Sequence, residues 1–142
     1  MTSDPYDLTR FRTAQDAHGT YAEALAELRA GRKTSHWMWF VFPQLRGLGR
    51  SSTAVYFAIT SLDEARAYLA DPVLGPRLLE ATSAAADAPA ESAEALLGGI
   101  DAVKLRSSMT LFAAAAPEEP LFRLVLDRWF DGREDEATRA LL

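Results

Sequence analysis

Helix starts and stops recur so often along this chain that no regular element can run far beyond residues 100–116, the longest uninterrupted stretch. Asp7 is placed to cap a short helix carrying Leu8, Phe11 and Ala14, which Gly19 ends. Thr20 and Glu23 have the spacing of a capping box, with Tyr21, Leu25 and Leu28 on one stripe and Gly31 as the stop. Ser61 and Glu64 form a second box, leading Leu62, Ala65 and Leu69 inward until Asp71-Pro72 breaks the helix. Residues 74–88 continue with Leu78 and Leu79 facing the core and an alanine-rich tail expected to fray. The chain then turns at Pro89, and a short helix over 91–97 closes at Gly98-Gly99. Residues 100–116 stop at Pro117, 121–130 at Asp131-Gly132, and a last short helix takes in 137–142.

Only 36–42 and 53–59 are aromatic or β-branched enough to read as strands, and the second also reads as a helix. Two such segments make at most one minor hairpin. The expected fold is therefore all-α: a compact single-domain bundle of about seven short helices spanning 1–142.

The 49% hydrophobic and 25% charged residues suit a globular domain, and 142 residues suffice to bury one core. With no cysteine, disulfides and thiolate metal sites are excluded. A net charge of −5 argues against duplex nucleic acid or an anionic membrane as partner. No apolar run has the length of a membrane span, and the start Met-Thr-Ser-Asp-Pro-Tyr-Asp has neither the basic nor the apolar part of a signal peptide, so a cytoplasmic location is expected. Arginine is abundant while Lys33 and Lys104 are the only lysines. A retained lysine is a place where a compact ammonium matters, or a survivor by chance.

Three places can carry chemistry. The first is the segment 35–49, which holds two of the three tryptophans and one of the two histidines. As a helix it puts His36, Trp39 and Phe40 on one side and is apolar all round, which normally means burial. Either these aromatics are core, or an indole face and His36 line a pocket for a planar ligand, with Gln44 beyond Pro43 offering an amide. The second is the loop 46–52, where Arg46, Gly49 and Ser51 precede a short helix in the manner of an anion cradle. It matches neither a Walker loop nor a dinucleotide fingerprint, so a Ser-capped turn with solvated arginines is the competing reading.

The third is the long helix. Leu105, Met109, Phe112 and Ala116 make its apolar stripe, Asp101, Lys104 and Ser108 a narrow polar stripe beside it, and Arg106, Thr110 and Ala113 its expected solvent face. A polar strip between apolar neighbours is semi-buried. It holds either a structural Asp101–Lys104 ion pair or a cleft with Asp101 as acid/base and Lys104 and Ser108 stabilising charge. Nothing here requires a metal or another cofactor: two histidines without cysteine do not make a zinc site, though Mg²⁺ can arrive with a phosphate. Adjacent Ser35 and His36 point apart and do not make a nucleophile–base pair.

Phe11, Gln15, Tyr21, Leu25, Glu27 and Leu28, the runs 31–33, 36–45 and 47–49, Ser51, and later 64–69, 74–78, 104–112, Asp135 and Thr138 together match one pattern. On these residues the chain resembles the uncharacterised bacterial family catalogued as domain of unknown function eighteen-ten, over essentially its whole length. The resemblance implies a mainly helical fold and no defined activity. Members are sometimes labelled calpastatin, a name that does not suit periodic apolar helices, since calpastatin is a disordered inhibitor. A more distant similarity to the NADAR-type ADP-ribosyl glycohydrolases implies hydrolysis of an ADP-ribose-like compound. No motif of theirs matches residue by residue, so no catalytic residue is carried over.

The functional expectation is a domain binding a phosphorylated planar metabolite of the nucleotide or ADP-ribose kind, with hydrolysis as its extension. The alternative is a non-enzymatic protein-interaction module with a structural aromatic core. The first idea requires His36, Gln44, Lys104 and Ser108 to converge on one cavity; the second leaves each satisfied separately.

Overall fold

A computed structural model describes residues 4–142, leaving the Met-Thr-Ser start that bore on export outside the described residues. The order is α1 Thr9–Asp16, a 3-10 turn Ala17–Gly19, α2 Thr20–Ala30, α3 Met38–Val41, α4 Ser52–Tyr56, α5 Leu62–Ala70, α6 Leu74–Asp87, α7 Ala93–Leu97, α8 Gly99–Ala115, α9 Pro120–Phe130 and α10 Glu136–Leu141. The fold is all-α. In place of a hairpin, the described residues contain one parallel bridge, Leu45 to Ile59, and the two aromatic or β-branched stretches wind into α3 and α4.

α8 is the hub, with α3, α5, α7, α9 and α10 packed around it. Its inner surface carries Leu105, Met109 and Phe112, all fully buried, and Phe112 meets Tyr68 of α5 and Phe122 of α9. The expected solvent face of this helix is wrong at Thr110, which is buried. The Thr110 hydroxyl donates to the Arg106 carbonyl and accepts from the Asp135 N–H at 2.8 Å, and the Arg106 guanidinium donates to the carbonyls of Arg133 and Glu134. The loop before α10 thus covers a face that local periodicity left open. What α8 exposes instead is its first turn: Ile100 is 77% and Val103 60% exposed.

Local signals fared unevenly for physical reasons. Ser61 caps α5 by accepting from the Glu64 N–H at 3.1 Å, and Gly31 ends α2 at φ 83°, a left-handed conformation that disfavours other residues. Asp7 does not cap α1. Asp4 does, accepting from the N–H groups of Leu8 and Thr9 at 2.7 and 3.0 Å. The Thr20 box does not form either, because Gly19 takes the cap position and the Thr20 hydroxyl turns back to the Ala17 carbonyl. Nor is the alanine tail of α6 left to fray: Ala81, Ala85 and Ala88 are buried, and the Trp129 indole N–H donates to the Ala85 carbonyl at 2.9 Å. Small side chains there let α9 approach closely.

Two polar side chains of α1 tie the neighbouring loops into this frame. Gln15 of α1 donates from Nε2 to the Phe40 carbonyl at 2.7 Å. Arg10 pairs with Glu64 at 3.1 Å and donates to the Tyr56 and Ala58 carbonyls, fixing the chain between α4 and α5.

Candidate functional site

The site begins with a carboxylate. Glu27, 8% exposed on α2, accepts from the Thr34 N–H at 2.7 Å, the Ser35 N–H at 3.0 Å, the Ser35 hydroxyl at 2.6 Å and the Trp37 indole N–H at 3.0 Å. Burial pushes its carboxyl up, but the Ser35 hydroxyl, the Thr34 N–H and the Trp37 indole outweigh that and bring it down to about 2. Glu27 therefore shapes the loop between α2 and α3 and buries Trp37 completely.

Lys33 sits in that loop. Its N–H donates to the Leu96 carbonyl at 2.7 Å, and its ammonium lies 5.2 Å from the Trp37 ring centre and 2.8 Å from Asp101 Oδ2. Asp101 Oδ1 accepts from Lys104 at 3.1 Å, and the Lys104 ammonium lies 4.5 Å from the centre of the Trp39 ring. The only two lysines of the chain thus meet on one carboxylate, each against one tryptophan of the same segment. Burial raises the Asp101 carboxyl, yet the hydrogen bonds and charges of Lys33 and Lys104 prevail and hold it below the usual carboxylate range.

Beside this ion triplet lies an open groove of about 500 Å³. Trp39, Gln44, Arg50 and Lys104 line it, together with Gly49, Ser51 and the apolar side chains of Leu48, Ala54, Ile100 and Val103. One wall is the first turn and a half of α8; the other is the loop leading into α4. The bridge between Leu45 and Ile59 steadies that loop, with the Ile59 N–H on the Gln44 carbonyl at 2.8 Å and the Arg46 N–H on the Ile59 carbonyl at 2.7 Å.

Of the residues singled out from sequence, Trp39, Gln44, Gly49, Ser51 and Lys104 come together here, with Asp101 directly behind Lys104. Three do not. His36 is exposed and does not line the groove: the helix begins at Met38, so His36 precedes it and is not one turn below Trp39. Arg46 opens onto a separate groove of about 410 Å³ with Tyr6, Arg10 and Tyr56, and Arg50 is the loop arginine on the Trp39 side. Ser108 is fully buried in α8, away from the groove lining, and its hydroxyl has no hydrogen-bond partner among the described residues.

Two of the converging residues also have local duties. Ser51 caps α4 by accepting from the Ala54 N–H at 3.1 Å. A Cβ on Gly49 would lie 2.5 Å from the Ala54 Cβ, so packing within the loop already demands glycine there. Leu48 and Arg50 belong to the loop read from sequence as an anion cradle, whereas Ile100 and Val103 as lining residues, and Glu27 as an organiser, were missed. The scarcity of lysine was the available signal for Lys33. Among the described residues no group of three His, Cys, Asp or Glu side chains could hold a metal ion, and no helix is long and apolar enough to cross a membrane.

The architecture is that of a small helical domain in which Asp101 and Lys104 of the hub helix and Lys33 of the α2–α3 loop form an ion triplet beside an amphiphilic groove. The chain belongs to the family described as protein of unknown function DUF1810, which matches residues 5–142. It is similar to a conserved hypothetical protein from Mycobacterium tuberculosis of known crystal structure, with 51% identity, 98% of each chain covered and a TM-score of 0.94. No curated protein matches it.

Proposed function

We propose that the groove binds a phosphorylated planar metabolite of the nucleotide or ADP-ribose kind. The supporting observation is the meeting of Lys104, Arg50, Gln44 and half-buried Trp39 around one groove with apolar walls. In this reading Lys104 and Arg50 take the phosphate, Gln44 reads a polar edge, and the ring lies against Leu48, Ile100 and the surface of Trp39 that Lys104 leaves open. A ligand of this class carries with it a cytoplasmic location.

The residues favour binding over hydrolysis. Asp101 has both oxygens engaged by ammonium groups and is held ionised, so it has no proton to give as a general acid. Its role is to orient Lys104. Ser108, shut inside the helix packing, does not reach a ligand in the groove.

Thermal melting with a panel of nucleotides and ADP-ribose tests the proposal. A true ligand at a hundred times its Kd stabilises by about 2.7 kcal/mol. Lys104→Met is expected to abolish that shift while leaving the ligand-free protein folded. No shift from any panel member overturns the reading. The interaction-module reading draws on the exposed Ile100 and Val103. It predicts a silent panel and a marked fall in the melting temperature of Lys104→Met, as expected for a structural ion pair.

A further inference from the structure

We infer that Lys33, which does not line the groove, is a positioning residue that neutralises Asp101 from behind and so keeps the charge of Lys104 available to an anion. The inference rests on the anion-binding reading of the groove and names what sustains it.

An isolated Asp101–Lys104 pair would sum to zero, leaving Arg50 as the only uncompensated cation of the groove wall. With Lys33 on Oδ2 at 2.8 Å and Lys104 on Oδ1 at 3.1 Å, one carboxylate is divided between two ammonium groups. The triplet keeps one net positive charge. Geometry decides where that charge is felt. The Lys33 side chain is 8% exposed and fixed against Trp37, whereas Lys104 is 19% exposed and faces the groove. Lys104 spends one N–H on Asp101 and rests on the Trp39 face; its other two have no acceptor among the described residues. In so sheltered a place a charge is screened less than at an open surface, so the presence of the second ammonium counts. Lys33 is itself carried by the loop that Glu27 and the Leu96 carbonyl hold in place, which gives that bonding a purpose beyond burying Trp37.

The sign of two substitutions separates this role from that of a merely structural lysine. Removing Lys33 alone gives the whole of Asp101 to Lys104 and weakens anion binding. Removing the charge of Asp101 in the same chain releases Lys104 again, because an asparagine oxygen still accepts its hydrogen bond. The experiment is calorimetric titration of the native protein, Lys33→Met, Asp101→Asn and the double variant with ADP-ribose and with ATP, each checked by circular dichroism.

The expected result is a loss of about tenfold in affinity for Lys33→Met and recovery to near the native value in the double variant, with Asp101→Asn alone as the reference for the double variant. Lys33→Arg, which restores the charge, should bind more tightly than Lys33→Met. If the native protein binds and Lys33→Met weakens it but the double variant stays weak or falls further, this inference is overturned while the groove reading stands. Native affinity in Lys33→Met also overturns it. A native protein that binds neither probe overturns this inference, and one that binds no member of the nucleotide panel removes the groove reading as well.

Discussion

Trp37 and Trp39 stand two residues apart in one aromatic run, yet they belong to different parts of the molecule. Trp37 has no exposed surface, and its indole N–H is bound by a carboxylate, Glu27, that pairs with no lysine or arginine among the described residues and whose contacts come from N–H and O–H groups. Trp39 is half-buried at the groove, and the carboxylate on its side, Asp101, is held by two ammonium groups. The first node is closed: its hydrogen bonds are spent on one loop conformation. The second is open, with donors and net charge left over. Sequence proximity within a segment therefore says little about role; what matters is whether the polar partners are used up.

Substitutions can break this contrast, and the largest effect belongs to the closed node. Trp37→Ala should destabilise by about 4 kcal/mol in urea unfolding, since it empties a fully packed site. A cost as small as that of Trp39→Ala would erase the distinction. Glu27→Ala should cost about 3 kcal/mol by the same measurement, leaving the Thr34, Ser35 and Trp37 N–H groups without their acceptor. Glu27 also predicts an acid limb. Its carboxyl titrates at about 2 when folded against an ordinary 4.5, so its contribution is complete above 4.5 and is lost as pH falls through 2. Stability measured from pH 5 down to 2 should fall less steeply in Glu27→Gln than in the native protein.

Smaller effects sharpen the open node. Trp39→Ala should cost only about 1 kcal/mol in stability, reflecting its partial burial, but should abolish ligand-induced stabilisation. A full loss of stability there would make Trp39 core. Ser108→Ala should be neutral or stabilising by up to about 1 kcal/mol, because the change removes a buried hydroxyl without a partner. It should also leave ligand binding unchanged, and a binding loss in this variant would return Ser108 to the site.

How far these roles were visible beforehand depends on the range of the interactions that create them. The punctuation of α2 by Gly31, the Ser61 cap of α5 and the buried stripe of Leu105, Met109 and Phe112 follow from bonds and periodicities spanning a few residues. Such features are written locally, and they sufficed for an all-α fold. The same local logic pointed to Trp39, Gln44 and Lys104 as polar or aromatic groups with something to do. It failed for His36 and Ser108 because each depends on a neighbour far along the chain or on where a one-turn helix starts.

Residue pattern alone settled that the longer segments would coil and that Leu105, Met109 and Phe112 would shun water, since backbone hydrogen bonding and side-chain spacing act over one or two turns. Packing settled the rest. Only the docking of the α2–α3 loop against α8 joins Lys33 to Asp101, and only the loop before α10 turns Thr110 inward. Charge neutralisation and burial are properties of groups brought together from distant parts of a chain, and no short window contains them.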